Sequence, residues 1–127
     1  MSPEKGVYAL LMRLSRRRKI VIGKMGTFVF SPGWYVYLGS AHGSGGLAAR
    51  TARHRRLNSQ KRKHWNVDYL GPFAPLSEIW YSFAPSSQEH AWASVVGAIP
   101  GASVPVPKFG AHDCKRCVSH LFHFQRC

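Results

Sequence analysis

Tyrosine hydroxyls and a dense group of arginines are the side chains of this sequence best suited to chemistry on a phosphodiester. Tyr8 and Tyr37 stand in apolar runs, and Arg50 and His54 have the i, i+4 spacing that puts two side chains on one helix face. Phosphodiester hydrolysis needs an activated water, stabilisation of charge on the phosphate and assistance to the leaving group. A tyrosine accepts the water's proton only where neighbouring cations lower its pKa from about 10. The arginines at positions 50–56, with a bound cation, would provide that environment.

Carboxylates, the usual protein ligands of Mg²⁺, are scarce. The chain has five of them: Glu4, Asp68, Glu78, Glu89 and Asp113. Because Mg²⁺ keeps most of its waters, it needs only one or two protein carboxylates. The sequence therefore favours a site with one metal ion over a site with two ions that share several carboxylates.

The charge of the chain is strongly one-sided. Lys and Arg number 18 against 5 Asp and Glu, and the formal net charge is +13. Nucleic acid is the commonest partner of such a surface, because each neutralised phosphate releases a condensed counterion. Positions 50–63 hold seven bases and no acid, which favours contact with a phosphate backbone over a solvated helix face. Besides Arg50, the predicted backbone-binding residues are Arg53, Arg55, Arg56, Lys61, Arg62, Lys63 and His64.

An anionic membrane is the competing partner for a basic chain. No apolar run approaches the roughly 18 residues that are needed to cross a bilayer. The first five residues, Met-Ser-Pro-Glu-Lys, lack the apolar stretch of a signal peptide. We therefore expect a cytoplasmic protein with no membrane partner.

The C-terminal tail contains side chains that bind zinc in other proteins. Cys114 and Cys117 are separated by two residues, a spacing typical of metal ligands, and His123 and Cys127 would complete a set of four. A second possible set combines Cys114, Cys117 and His120 with a distant histidine. Cysteines also serve as small core residues, so a structural Zn²⁺ site and simple packing are both open.

The elements that would position these residues follow from short patterns. Runs at 7–12, 19–23, 27–30 and 34–39 predict four strands, which we interpret as an antiparallel meander. A glycine-rich loop at 39–46 precedes a predicted helix at 47–57, and a second short helix is predicted within 61–70. A strand at 76–83, a helix at 88–96, an irregular segment at 97–110 and a last strand at 118–124 follow. This order predicts an α+β fold in a single domain that spans residues 1–127.

The motifs resemble those of a known family. The Gly-Val-Tyr of residues 6–8 and the Tyr-Leu-Gly of residues 37–39 resemble the two elements for which the GIY-YIG nuclease superfamily is named. Arg50, His54 and Glu89 follow in the superfamily's order. The chain is most similar to a short stand-alone subgroup, through residues 35–41, 53–54, 65–70 and 113–121. The resemblance covers a core of about residues 6–96 and implies a small antiparallel sheet flanked by helices, with an extra hairpin between the two named elements.

The resemblance also implies a function and a set of roles. The protein would be a metal-dependent endonuclease that hydrolyses DNA. Tyr8 would be the general base, and Tyr37 would hold the water or the phosphate by a hydrogen bond. Arg50 would bind the phosphate, His54 would be a further catalytic residue, and Glu89 would bind one Mg²⁺ or Mn²⁺ ion. Residues 64–66, His-Trp-Asn, depart from the His-aromatic-His expected in the subgroup.

Each of these residues has a structural alternative. The two tyrosines could be core aromatics, Arg50 could be one more solvated base, and His54 could bond only within its own helix. Residues 86–89, Ser-Ser-Gln-Glu, match a capping box, in which Glu89 bonds to a backbone N–H instead of a metal. Asp68 would be a second metal ligand or, more simply, the salt-bridge partner of a nearby base.

Two functional alternatives accompany the nuclease. A non-catalytic nucleic-acid-binding module would use the same fold and the same basic helix without cutting. A zinc-stabilised adaptor would contact a protein partner through the cysteine- and histidine-rich tail.

Overall fold

A computed structural model describes residues 6–41, 46–55, 67–82, 87–109 and 119–125 of the chain. The strands are β1 (Gly6–Leu14), β2 (Arg18–Ile22), β3 (Gly26–Phe30), β4 (Gly33–Ala41), β5 (Leu76–Ser82) and β6 (Leu121–Phe124). The α-helices are α1 (Gly46–Arg55), α2 (Val67–Leu70) and α3 (Ser87–Gly97), and a single 3-10 turn covers Gly23–Met25. Each strand and helix predicted from the sequence overlaps one of these elements. Within the described ranges, no helix has the length and apolar character needed to span a bilayer.

The main sheet has four antiparallel strands in the order β5-β1-β4-β6. The interpretation of the first four strands as a meander is wrong, because β1 pairs directly with β4. β2 and β3 pair with each other in a separate two-stranded sheet. This arrangement confirms the predicted hairpin between the Gly-Val-Tyr and Tyr-Leu-Gly elements. It also explains the lengths of β1 and β4, since both nine-residue strands pair along their whole length.

Alternation along β1 and β4 divides the core between two sheet faces. Tyr8, Leu10 and Tyr37 belong to a large apolar cluster on the first face. Ala9 and Leu38 belong to a smaller cluster on the second face, against α3. Both central strands are therefore buried on both sides, which is why their sequences are nearly continuous apolar runs.

The first face is covered by the inserted hairpin, α1 and α2. The hairpin buries Ile20, Ile22 and Phe30 on its inner side, and its burial alternates as expected for strands with one solvated face. Leu47 of α1 and Leu70 of α2 complete this layer. The result is the predicted α+β fold, a small antiparallel sheet with helices on both sides.

Candidate active site

The pairing of β1 with β4 brings the two tyrosines of the motifs to one face of the sheet. Tyr8 lies opposite Gly39, and Leu10 lies opposite Tyr37, so the tyrosines are diagonal neighbours on adjacent strands. Both rings belong to the apolar cluster on the first face, where α1 also packs. Tyr8 and Tyr37 therefore lie on neighbouring strands of the sheet.

His54 connects α1 to both tyrosines. Its Nε2 lies 2.9 Å from the Tyr8 hydroxyl, a buried hydrogen bond between residues 46 positions apart. The His54 ring centroid is 5.4 Å from that of Tyr8 and 6.5 Å from that of Tyr37. The alternative that His54 bonds only within its own helix is wrong. A Tyr–His pair of this kind can pass a proton from the hydroxyl to the imidazole.

Arg50 lies one turn before His54 on α1. Its Nη1 donates a hydrogen bond of 2.9 Å to the carbonyl oxygen of Ser40, near the end of β4. Ser40 follows Gly39, the residue opposite Tyr8, so Arg50 and the Tyr8–His54 pair occupy the same end of the β1–β4 ladder. The half-buried guanidinium is anchored there by the backbone, which differs from the alternative of a base that only meets solvent.

The motif glycines allow these close approaches. A Cβ atom added to Gly39 would lie 2.5 Å from both Cζ and the hydroxyl oxygen of Tyr8. A Cβ atom added to Gly6 would overlap the carbonyl group of Ser82 and approach the side chain of Leu47. Gly39 therefore gives the Tyr8 ring its position over β4, and Gly6 lets β1 approach both β5 and α1. The glycines of both motif elements have a packing reason.

The tyrosines and the histidine of this group are buried. The exposed fractions are 1% for Tyr8, 5% for Tyr37 and 8% for His54. Buried hydroxyl and imidazole groups need hydrogen-bond partners, and the Tyr8–His54 bond meets that need without any catalytic role. Burial therefore supports the core-aromatic alternative, whereas the pairing of a hydroxyl with an imidazole supports acid–base chemistry.

Arg53, a predicted phosphate ligand, binds a carboxylate of the protein itself. Its Nη1 and Nη2 donate hydrogen bonds of 3.0 and 2.9 Å to the two carboxylate oxygens of Asp68. The Asp68 side chain is fully buried, and that of Arg53 is 18% exposed. The guanidinium fork is thus occupied by a carboxylate and ties α1 to α2, so we leave Arg53 out of the phosphate-binding surface. The prediction that Asp68 forms a salt bridge is confirmed.

Glu89 lies in the first turn of α3, and its side chain is outside the described part of the structure. α3 packs on the second sheet face, where Ala93 contacts the cluster that contains Ala9 and Leu38. The helix that carries Glu89 is therefore on the face opposite Tyr8. However, α3 begins five positions after Ser82, which pairs with Val7 next to Tyr8. A metal site shared by Glu89 and Tyr8 would have to lie around this end of the sheet.

Most of the predicted basic surface is outside the described residues. The described part of α1 ends at Arg55, whose side chain is not described. The remaining predicted phosphate ligands lie outside it altogether: Arg56, Lys61, Arg62, Lys63 and His64.

The tail histidines are buried next to β4. His123 Nε2 lies 2.9 Å from the carbonyl oxygen of Pro32, and His123 Nδ1 lies 3.4 Å from the Ser103 hydroxyl. These contacts are compatible with a purely structural role for His123, and its role as a zinc ligand stays a prediction. The backbone of His120, itself buried, bonds to Phe109 and Leu38. The other predicted zinc ligands lie outside the described residues: Cys114, Cys117 and Cys127.

Metal ligands do not cluster in the part of the chain that the structure describes. No group of three His, Cys, Asp or Glu residues there could hold an ion.

Sequence reasoning missed two neighbours of the tyrosines. Phe109 comes from the irregular segment, and its ring centroid is 6.1 Å from that of Tyr37 in an edge-on contact. Tyr81 of β5 lies directly opposite Tyr8 and is 46% exposed. The alternation of β5 indicates that Tyr81 has a sheet-face position, but only the register, which sequence does not supply, places it beside Tyr8.

Comparison with known proteins gives a family. Residues 7–127 match the family described as "Domain of unknown function DUF123", so the chain belongs to this family. The match begins within β1, at the residue before Tyr8, and includes every other described element. Searches of curated proteins and of solved structures found no match.

Proposed function

We propose that this protein is an endonuclease of the GIY-YIG type that hydrolyses phosphodiester bonds of DNA with one divalent metal ion. The observation that carries the proposal is the 2.9 Å hydrogen bond between the Tyr8 hydroxyl and His54 Nε2. It joins a residue of the first motif to the helix that follows the second motif. Arg50, on the same helix, occupies the same end of the β1–β4 ladder.

The proposed reaction uses the Tyr8–His54 pair as a proton relay. The Tyr8 hydroxyl passes its proton to His54 Nε2, and the resulting phenolate takes a proton from the attacking water. A bond forms between the water oxygen and phosphorus while the ester P–O bond breaks, and the leaving oxygen takes a proton from solvent. His54 Nε2 then gives its proton to solvent, which restores the neutral Tyr8–His54 pair. Because the Tyr8 ring is 1% exposed, the water enters from the side of Arg50, which binds the phosphate.

Glu89 is the proposed ligand of the divalent ion. Mg²⁺ or Mn²⁺ bound there would stabilise the negative charge that develops on the phosphate. One carboxylate is sufficient for an ion that keeps its other ligands as water. The first turn of α3 follows the strand that pairs beside Tyr8, which supports a site at that end of the sheet.

Affinity for the substrate is proposed to come from the phosphate backbone. The net charge of +13 and the acid-free run at positions 50–63 support this part of the proposal. Such contacts position DNA without reading its sequence. Replacing Arg55 and Arg56 by alanine would therefore weaken binding to all duplexes alike.

A non-catalytic nucleic-acid-binding module is the second candidate. The specific observation in its favour is the burial of Tyr8, Tyr37 and His54, which would serve as a hydrogen-bonded core in a protein that only binds. The basic surface would then be the whole functional site.

Nicking of supercoiled, branched and single-stranded DNA separates the two candidates. For the nuclease, wild-type protein cuts in Mg²⁺ or Mn²⁺ and stops cutting in EDTA, while binding persists in both. Glu89→Gln keeps the size and the capping ability of the residue but removes its charge. Cleavage by this variant should fall by orders of magnitude at unchanged stability. Wild-type protein that binds every substrate and cuts none would support the binding module, and equal cleavage by Glu89→Gln would show that Glu89 is only a cap.

A further inference from the structure

The connection between β1 and β2 carries a second concentration of positive charge, distinct in sequence from the basic run at positions 50–63. Five of the seven positions from 13 to 19 are basic, and all five side chains are exposed. We name the set the β1–β2 basic cluster, and its members are Arg13, Arg16, Arg17, Arg18 and Lys19.

Within the described part of the chain, no ion pair joins an acidic residue to this cluster. Among the described residues, the salt bridge found joins Arg53 to Asp68 on another part of the molecule. Like charges packed at this density repel each other, which disfavours the folded state unless an anionic partner screens them. A cluster that serves no partner would be expected to include acids.

Aromatic rings hold two of the guanidinium groups in place. Arg18 Cζ lies 4.6 Å from the centroid of the Phe73 ring, and Arg13 Cζ lies 5.9 Å from that of Trp34. A guanidinium stacked on a ring keeps its N–H groups at its edge, where they can bind a phosphate. The stacking also lowers the side-chain entropy that is lost on binding. These two guanidinium groups are thus preorganised to bind phosphate groups.

The cluster and the Tyr8–His54 pair lie toward opposite ends of the first strand. Tyr8 and Leu14 are six positions apart on β1, which at about 3.4 Å per residue separates them by roughly 20 Å. Duplex DNA advances about 3.4 Å per base pair, so the same distance corresponds to about six base pairs.

We propose that the β1–β2 basic cluster is a second backbone-binding site, which holds the duplex about six base pairs to one side of the reaction site. This inference rests on the proposed function for the position of the cut, but it concerns a surface that takes no part in the chemistry. It assigns the protein a substrate with a double-stranded flank. A duplex flank matches the cluster because its phosphates are regularly spaced and rigidly held.

The test compares two double variants with equal losses of charge. Arg16→Gln with Arg17→Gln removes two charges from the cluster, and Lys24→Gln with Lys108→Gln removes two exposed charges elsewhere. Affinity for a duplex of about 24 base pairs is measured in EDTA at several salt concentrations. The cluster variant should bind on the order of tenfold more weakly, with a log–log salt slope lower by about 2, since each phosphate contact contributes about 0.9. The control variant should stay within about twofold of wild type.

Several outcomes would overturn the inference. Equal losses in the two double variants would show a general effect of net charge, and no loss in either would show that the cluster does not meet DNA. Vesicles of phosphatidylserine and phosphatidylcholine provide the other arm. If the cluster variant loses vesicle binding while duplex binding is unchanged, the surface serves lipid.

The inference and the proposed function can fail independently. Tyr8→Phe, measured in the same binding assay, should bind as wild type does. If wild-type protein cuts DNA and the cluster variant binds normally, the proposal of a second binding site is wrong and the nuclease proposal stands. If the cluster variant loses binding but wild-type protein cuts nothing, the nuclease proposal is wrong and the second binding site stands.

Discussion

The Tyr8 hydroxyl and His54 Nε2 lie 2.9 Å apart and join β1 to α1 across 46 positions of sequence. Two further contacts connect the same elements. Gly39 of β4 packs against the Tyr8 ring, and Arg50 of α1 donates a hydrogen bond to the carbonyl of Ser40, the residue after Gly39. The two motif elements and the helix after them are therefore one structural unit. A substitution in any one of these three elements should therefore alter the packing of the other two.

The contact between Gly39 and Tyr8 should appear as an energetic coupling. Gly39→Ala places a methyl group against the Tyr8 ring and should destabilise the protein by about 1–3 kcal/mol, the usual cost of overpacking. In a Tyr8→Ala background the same methyl group meets a cavity, so Gly39→Ala should cost much less. Urea unfolding of the four proteins in this cycle measures the coupling. Additive losses would mean that the ring does not rest on Gly39.

The Arg53–Asp68 pair should contribute to the stability of the fold and not to DNA binding. Arg53→Ala leaves the fully buried Asp68 carboxylate without its bidentate partner and should cost about 3 kcal/mol of unfolding free energy. Lys24→Ala, at an exposed position, should stay within about 0.5 kcal/mol of wild type. At a temperature where Arg53→Ala is still folded, its salt slope for duplex binding should equal that of wild type. A lower salt slope for Arg53→Ala would show that Arg53 contacts phosphate after all.

Tyr35 should contribute to the loss of stability in alkali. Burial raises the pKa of its hydroxyl above the ordinary value, because the charged phenolate would lose its contact with water. The native state thus keeps a proton that the unfolded state loses above a pH of about 10, and the free energy of unfolding falls as the pH rises beyond that point. Tyr35→Phe should show a shallower fall.

The control for this pH dependence is Tyr81→Phe. Tyr81 is 46% exposed, so Tyr81→Phe removes one hydroxyl from a tyrosine that folding buries only in part. Urea midpoints between pH 8 and pH 11 provide the comparison. Parallel profiles for wild type and Tyr35→Phe would show that ionisation of Tyr35 does not contribute.

The sequence was sufficient to predict the elements and their class, because the apolar runs and the glycine-rich connections mark local structure. It was misleading for the pairing of the first four strands. A meander and an inserted hairpin have the same local pattern, and the choice depends on which strands bury both faces. β1 and β4 do so, whereas β2 and β3 each keep a solvated side with exposed residues such as Val21 and Val29.

In the candidate site too, contacts set by local spacing could be predicted from the sequence, whereas contacts between distant segments could not. The i, i+4 spacing predicted that Arg50 and His54 share a helix face, and both do reach the end of the β1–β4 ladder. Arg53 was grouped with the phosphate ligands because sequence shows only that it is basic. Its partner, Asp68, lies 15 positions away on another helix, and a buried carboxylate opposite an arginine is visible only after folding.

The most direct measurement compares Tyr8→Phe with Tyr35→Phe. Each variant removes one hydroxyl from a ring that is no more than 1% exposed, and the bonds lost include those to His54 and to the Ser31 carbonyl, respectively. Both should therefore lose a similar stability of about 1 kcal/mol, and both should bind duplex DNA as wild type does. In Mg²⁺ the nicking rate should fall by orders of magnitude for Tyr8→Phe and stay near that of wild type for Tyr35→Phe. Equal nicking rates for the two variants would contradict the assignment of the Tyr8–His54 pair as the catalytic base.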